Sequence, residues 1–450
     1  MNQTTNTQMV LNQLDLLVPV IPCQYDYMTT YDTPMEYLRG AALRLLWLGA
    51  APASQLQQFL GLDAHELDIL INQLLSHHDI SIDAQTGRCE LTPSAKLRFK
   101  RGEPVIEVEE LRKATVHYDM VTGEALAYQK TSGQTGYGLA IPVEQTYLSR
   151  DKANLLFTQQ FKRMVETEIL TGFDPAKTSL LSKVTKVNIK PKLVNRITLN
   201  LSYDPNTGET ELIGLDELDS RADPIRDELL PLLAEQNADA NLVWATSLIA
   251  QLPLLAPLQH LIGPNGVDIT GLMIQHATHL NKYGQSPLVV GALSSLPNRE
   301  RVGHAIGDAQ RRLKSGRERP NIHWYTPQTP LWGATLSVNE LDALLDATRN
   351  PIHGFGSMVH FPLVTNTAQI KSDTQQHLPQ LVPARIGIYQ GNHVADLEIL
   401  MMSGQFAFVV LHLRPDAQAL SIPVGVFVDN TDQLVQLSQF IDEHYEAVNL

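Results

Sequence analysis

The chain has 450 residues, of which 43% are hydrophobic and 18% charged, and its formal net charge at pH 7 is −14. This composition is that of a globular protein, and the length predicts two or three domains. The acidic balance argues against a protein that tracks nucleic acid over its whole surface, although it leaves room for a local basic site.

The segment at residues 1–33 predicts an extended leader. Its polar start lacks a positively charged region followed by an apolar core, so it does not resemble a secretory signal. The stretch VPVIPCQYDYMTTYD, with two prolines and three tyrosines, indicates an extended segment on the surface of a later domain. Cys23 and the distant Cys89 are too few for a disulfide framework and fit a reducing cytoplasm.

Residues 34–103 carry the most specific pattern of the N-terminal half. Apolar residues at helical spacing predict three helices, and Asp63 followed by Glu66 predicts a capping box at the start of the third. A two-stranded hairpin and a basic tail follow. The run LGLDAHELDILINQLLSHHDI, continued by GRCELTPSAKL, resembles the winged-helix superfamily. That resemblance implies a helix at 63–78 able to enter a DNA major groove.

Charge argues against DNA recognition by that helix. No lysine or arginine occurs between Arg44 and Arg88, and phosphate neutralisation supplies most of the non-specific affinity for DNA. We therefore favour a protein-contact or structural role for this domain, with cations for nucleic acid only on its wing and tail. Those residues are Arg88, Lys96, Arg98, Lys100 and Arg101.

Residues 104–239 predict a β-rich middle region with one long helix. Two hairpins are expected to turn at Thr-Gly pairs, and the helix begins near Asp151. Lys186, Asn188 and Lys190 alternate with apolar neighbours, so they share one face of a strand. Lysines in such a row protect an exposed sheet edge or bind phosphate, and we favour edge protection.

Residues 240–450 predict a C-terminal α/β domain, which makes the whole chain a multidomain α+β or α/β protein. SPLVVGAL predicts a strand buried on both faces, followed by a helix over 298–314 and a second strand at NIHWY. The turn before the helix offers backbone N–H groups where anions bind. The predicted nucleic-acid or phosphate site comprises Ser294, Ser295, Asn298, Arg299, Arg301, Arg311, Arg312, Lys314, Arg317 and Arg319.

Motifs for several common enzyme chemistries are missing. The chain contains no P-loop, HExxH, GxSxG or paired CxxC pattern. His276 and His279 lie one helical turn apart and are weak metal candidates, but no third ligand is evident, so we predict neither metal nor cofactor. The layout of IPVGVFVDN and FIDEHYEAV resembles a phospholipase D-like domain, whose HxK motif this sequence lacks.

The sequence thus favours a cytoplasmic, non-catalytic protein: an assembly or adaptor subunit of a prokaryotic DNA-handling complex, of the kind that serves antiviral defence or mobile elements. It would contact a protein partner, and DNA or RNA through local basic patches, without contacting a membrane. Two alternatives remain open. One is a phosphodiesterase or nuclease with a degenerate phospholipase D-like site, and the other is a winged-helix transcriptional regulator that senses a small ligand.

Overall fold

The structure is a computed structural model that describes residues 9–32, 34–100, 110–126, 138–143, 147–173, 178–235, 241–283, 286–313, 320–329, 331–347, 356–363, 378, 381–391, 394–415 and 420–448. Its helices, numbered in chain order, are α1 (Pro34–Leu48), α2 (Ala53–Leu60), α3 (Ala64–Ser76), α4 (Pro93–Lys100), α5 (Arg150–Glu166), α6 (Ala222–Glu235), α7 (Leu242–Gln251), α8 (Ile269–Tyr283), α9 (Leu296–Arg312), α10 (Leu336–Ala347) and α11 (Thr431–His444). Its strands are β1 (Met9–Asp32), β2 (Ala51–Pro52), β3 (Ile80–Ile82), β4 (Arg88–Leu91), β5 (Glu110–Asp119), β6 (Ala125–Leu126), β7 (Leu139–Ala140), β8 (Thr178–Ile189), β9 (Leu193–Tyr203), β10 (Thr210–Ile213), β11 (Ile262–Gly263), β12 (Gly266–Val267), β13 (Leu288–Val290), β14 (Ile322–Tyr325), β15 (Ser357–Pro362), β16 (Ile386–Gln390), β17 (Leu397–Met402), β18 (Phe406–Leu413), β19 (Ile422–Val428) and β20 (Glu446–Ala447). Helices and strands are mixed in several sheets, as in an α+β protein.

The N-terminal helical unit (residues 34–100) packs α1–α4 against a small antiparallel sheet in the order β2-β4-β3. The predicted capping box of α3 is confirmed. The Asp63 carboxylate accepts the backbone N–H of Glu66 at 2.8 Å, and the Glu66 carboxylate accepts that of Asp63 at 2.9 Å. These bonds satisfy two N–H groups that a helix start leaves without partners. The apolar face of α3 is buried through Leu67 and Leu70.

The expectation that the leader lies on a surface is wrong, because β1 is the central strand of a seven-stranded N-terminal sheet. One edge of β1 pairs with β9 and then β8, and the other edge pairs with β7 and β5. Cys23, Tyr25 and Tyr27 alternate along β1 and pack against α5. The leader and the predicted middle region therefore share one sheet, with Tyr25 and Tyr27 in its core.

Three hairpin turns share the pattern Asp-x-x-Thr-Gly, which starts at Asp83, Asp119 and Asp204. In each turn the carbonyl of the aspartate accepts the N–H of the glycine four residues later at 2.8–2.9 Å. The three glycines have φ angles of 65°, 74° and 75°, a left-handed conformation that favours glycine. The two hairpins predicted in the middle region are confirmed, since β5 pairs with β6 and β9 with β10.

The C-terminal sheet has eight strands in the order β13-β19-β18-β17-β14-β15-β16-β20. β14, β15 and β16 are parallel to one another, whereas the other pairs are antiparallel. β13, β17 and β18 are buried at every residue, because one face packs with β1 and α7 and the other with α9 and α10. The predicted strand–helix–strand segment exists as β13, α9 and β14, but three strands separate β13 from β14.

The first half of β1 joins the two large sheets. The backbone N–H of Ala292 donates to the Leu11 carbonyl at 2.9 Å, and that of Asp15 donates to the Ala334 carbonyl at 2.8 Å. Leu11 and Leu14 are fully buried in the core that also holds the inner face of the C-terminal sheet. These contacts bring the starts of α9 and α10 against β1, which fixes the position of the cleft described next.

Candidate functional site

A cleft with a volume of about 800 Å³ lies beside the turn that was predicted to hold an anion. The first half of β1, α8 and the starts of α9 and α10 surround it. Much of its lining is apolar, as at Met9, Met273 and Leu296. Four of the predicted anion-site residues also line it, namely Ser295, Asn298, Arg299 and Arg301. A cleft of this size suits a small organic ligand.

Asn298 and Ser294 make bonds that shape the turn itself. The Asn298 side chain is 3% exposed and donates to the carbonyls of residues 290–292 at 3.0–3.1 Å. The Ser294 hydroxyl accepts a hydrogen bond from the Ser337 hydroxyl at 3.1 Å, which links the turn to α10. These side chains therefore hold the start of α9 in place.

The two arginines of the turn have different surroundings. Arg299 forms an ion pair with Glu340 on α10 and donates to the Ser294 carbonyl at 3.1 Å. Arg301 donates to the carbonyls of Leu288 at 2.9 Å and Ser286 at 2.6 Å. Among the described residues, no carboxylate forms an ion pair with Arg301, and burial lowers its pKa. Arg301 is thus a half-buried cation whose hydrogen-bond acceptors, within the described ranges, are neutral carbonyls.

Asp15 brings a carboxylate to the cleft, but protein groups already satisfy it. Its oxygens accept hydrogen bonds from Arg196 at 2.9 Å, from Thr198 at 2.6 Å and from the backbone N–H of Leu336 at 2.8 Å. The last donor is the first N–H group of α10. An internal carboxylate therefore occupies the N-terminus of α10, where the helix dipole favours negative charge.

The weak metal candidates His276 and His279 lie on α8 near the same cleft. Burial and then the charge of Arg301 lower the pKa of His276. Its Nδ1 atom is buried and has no hydrogen-bond partner in the described ranges. Within the part of the chain that the structure describes, no group of three or more potential ligands surrounds a metal position. Within the described residues, His276 and His279 therefore have no third ligand with which to hold a metal ion.

The second arginine cluster lies at the far end of α9. Arg311 and Arg312 are exposed in its last turn, and Arg311 pairs with Asp308 one turn earlier. Cations in this position complement the negative end of the helix dipole, which is a structural reason for their presence. The remaining residues of the prediction lie outside the described residues: Lys314, Arg317 and Arg319.

Of the predicted wing and tail contacts, some are exposed, one forms a buried ion pair and one lies outside the described residues. Three of them are exposed on the N-terminal helical unit: Arg88, Lys96 and Lys100. Arg98 instead binds the fully buried carboxylate of Asp79, which Arg39 also binds at 2.5 Å. Arg98 therefore contributes to the stability of the unit, because removing it would leave part of a buried charge uncompensated. Arg101 lies outside the described residues.

A basic sheet surface is the feature that the sequence revealed only in part. The even-numbered residues of β1 point away from α5, where Asp26 pairs in register with Lys113 and Lys186, and Gln24 with Thr115 and Asn188. They line a shallow groove with a volume of about 410 Å³. Lys190 directly follows the end of β8, and its backbone N–H donates to the Pro22 carbonyl of β1 at 2.8 Å. We call this surface the open face; it comprises Gln24, Asp26, Lys113, Thr115, Lys186, Asn188 and Lys190.

Three buried polar residues have the composition of a hydrolytic triad. The Nε2 atom of His412 lies 2.8 Å from Glu398 Oε2, and its Nδ1 atom lies 3.2 Å from Ser421 Oγ. All three are at most 3% exposed. The adjoining cavity has a volume of about 20 Å³, which is room for a single water molecule and for no substrate. In this conformation the arrangement therefore acts as a structural network.

The comparisons with known proteins are sparse. No protein-family model matches the chain, and no curated protein matches it. Among solved structures, the chain is similar to TrmBL2, an archaeal chromatin protein described as showing a novel mode of DNA binding. The identity is 11% and the TM-score 0.23, over 93% of this chain and 95% of that chain. A similarity at this TM-score carries no argument about function.

The helices bear on one further property. Among those in the described ranges, none combines the length and the apolar character needed to cross a membrane.

Proposed function

We propose that the protein is a non-catalytic adaptor subunit that contacts nucleic-acid phosphates through the open face. The observation that carries this proposal is the local charge of that surface. Lys113 on β5 and Lys186 on β8 flank β1, Lys190 follows the end of β8, and Asp26 is the single carboxylate in the open face. On a chain with a net charge of −14, such a surface offers a local site of attraction for a polyanion.

The side chains between the lysines support backbone contact rather than base recognition. Gln24, Thr115 and Asn188 supply neutral hydrogen-bonding groups in one cross-strand row. Tyr25 and Tyr27 of β1 point into the core, so these two rings offer no stacking platform on this face. Phosphate contacts of this kind position a nucleic acid without reading its sequence. We therefore expect binding that depends strongly on salt and weakly on sequence.

The N-terminal helical unit supports the adaptor part of the proposal. It resembles a winged helix, yet the start of its α3 shows Glu66 and Asp68 to solvent, which repel phosphate. The unit also exposes large apolar side chains, with Leu48 at 83% and Phe59 at 66%. Exposed apolar surface combined with acidic charge suits a protein partner better than DNA.

Fluorescence anisotropy with a labelled 20-base-pair duplex, measured over a range of salt concentrations, tests the proposal. Binding should weaken as salt rises, since each neutralised phosphate contributes roughly 0.9 to the slope of log affinity against log salt. The variant Lys113→Gln/Lys186→Gln/Lys190→Gln should reduce that slope by about 2 to 3.

Three comparison variants locate the contact. Lys162→Gln on the outer face of α5 removes one exposed charge and should leave the slope unchanged. Arg311→Gln/Arg312→Gln and Lys96→Gln/Lys100→Gln test the two sites predicted from sequence. A wild-type slope in the open-face variant would refute the proposal. A reduced slope in one of the two double variants would instead place the nucleic-acid contact at the residues changed in that variant.

A further inference from the structure

We infer that the cleft between β1, α8, α9 and α10 is a binding site for a small amphipathic anion, with its carboxylate or phosphate group at Arg301 and its apolar body against Met273 and Leu296. This inference is independent of the open face, because the two surfaces share no residue. It assigns the cleft a role that polyanion binding does not explain.

The first argument is the unbalanced charge of Arg301. It lies in the second turn of α9 and donates to the carbonyls of Leu288 and Ser286, which carry no compensating charge. The neighbouring charges of the cleft are already matched, since Asp15 pairs with Arg196 and Arg299 with Glu340. A partly buried cation that has no counter-charge among the described residues is costly, so a bound anion would stabilise this arrangement.

The second argument is the contrast between the two helix starts. The Asp15 carboxylate accepts the first N–H of α10, whereas the N-cap of α9, Ser295, forms no side-chain cap. Both helices begin at the same cleft. The protein thus supplies its own anion to one helix start and leaves the donors at the other start for a ligand.

The third argument concerns size and lining. A volume of about 800 Å³ far exceeds what a bare phosphate or carboxylate needs. Met273 and Val290 form apolar surface in the interior, and Leu296 lies at the mouth with 60% of its surface exposed. An apolar body attached to the anion would cover this surface, and burying it contributes affinity that a free ion cannot gain.

Isothermal titration calorimetry on the full chain, with octyl phosphate and octanoate as probes, tests the inference. Two control ligands each carry one part of the proposed ligand: inorganic phosphate has the anionic group alone, and octanol has the apolar chain without a charge. We expect at least one amphipathic anion to bind at least tenfold more tightly than either half. The inference is wrong if octanol binds as tightly as both amphipathic anions, or if neither of them binds.

Two variants place the ligand within the cleft. Arg301→Gln should weaken binding at least tenfold. Because Arg301 also supports β13 through carbonyl bonds, a second variant is needed: Leu296→Glu adds a negative charge at the mouth of the cleft and should also weaken binding at least tenfold. Ile274→Glu, on the solvent side of α8, is the matched control and should bind like the wild type. Wild-type affinity in Leu296→Glu, or equal loss in Ile274→Glu, would overturn the assignment.

Discussion

The indole N–H of Trp324 donates a hydrogen bond to Glu398 Oε1 at 2.8 Å inside the C-terminal sheet. Both side chains are almost completely buried, and the second oxygen of Glu398 lies 2.8 Å from His412. One carboxylate therefore satisfies polar groups on two other strands of the sheet. A buried carboxylate with such partners makes each partner depend on it.

Replacing Glu398 with alanine should lower the free energy of unfolding by about 3 kcal/mol, because two buried polar groups lose their acceptor and a cavity forms. Glu398→Gln is the control: its carbonyl can still accept the indole hydrogen bond, so the loss should be smaller. Denaturant unfolding followed by tryptophan fluorescence measures both. A loss below about 1 kcal/mol for the alanine variant would contradict this account.

The stability of the C-terminal sheet should fall as the pH is lowered from 6.5 towards 4. His360 lies 2.9 Å from His323 and stacks on Tyr325, and burial followed by the charge of His323 lowers the pKa of His360 to about 4. The unfolded chain takes up a proton near pH 6.5, whereas the folded chain does not until about pH 4. Up to about 3 kcal/mol is therefore lost across this window.

Denaturant unfolding at pH 7, 6, 5 and 4.5 measures that loss. The variant His360→Asn has no imidazole at this position, so its stability should depend less on pH within the window. An identical pH profile for this variant and the wild type would show that another group causes the loss.

Removing the cap of α3 should destabilise the N-terminal helical unit by about 1 kcal/mol. Asp63→Ala leaves the backbone N–H of Glu66 without its acceptor. Glu66→Gln, in contrast, keeps an acceptor for the N–H of Asp63 and should cost much less. Thermal unfolding followed by circular dichroism compares the two variants, and equal losses would mean that charge near the helix start matters more than the reciprocal bonds.

Two glycines should respond to alanine in opposite ways. Gly425 lies in the buried strand β19, where an added Cβ would lie 2.7 Å from Val410 Cα and would collide with the carbonyl oxygen of Val409. Gly307 lies in α9, and an added Cβ would meet nothing within 4 Å. Gly425→Ala should therefore unfold or strongly destabilise the domain. Gly307→Ala should stabilise it by about 0.5–1 kcal/mol, measurable by denaturant unfolding.

Local patterns predicted local structure well. The capping box at Asp63 and the turns that begin at Asp119 and Asp204 depend on residues within five positions of one another, so their chemistry is visible in sequence. The leader was misjudged because its alternation is broken by Pro19 and Pro22, and because its pairing partners are distant along the chain. Nothing within the segment shows that β5 and β8 will flank it.

In the candidate sites, too, contacts between residues distant along the chain could not be predicted from the sequence. Ser295 and Arg301 were identified from a strand, a turn and a helix in succession, and both line the cleft. The ion pairs around the cleft, Arg299 with Glu340 and Arg196 with Asp15, could not be predicted, because their partners lie on different elements. The open face was visible only as one alternating row on β8. The lysine on β5 joins that row through a register that β1 sets.

The 24 residues of β1 have a consequence for the biosynthesis of the protein. Ribosomes make this strand before any of its partners, and the nearest of those, β5, follows after the whole N-terminal helical unit. At roughly 5–20 residues per second, β1 stays without its native neighbours for several seconds, and for longer until β9 and the last strands emerge. A long apolar strand in that state is prone to pair with other nascent chains. We therefore expect the yield of folded protein to depend on chaperones that shield this segment during translation.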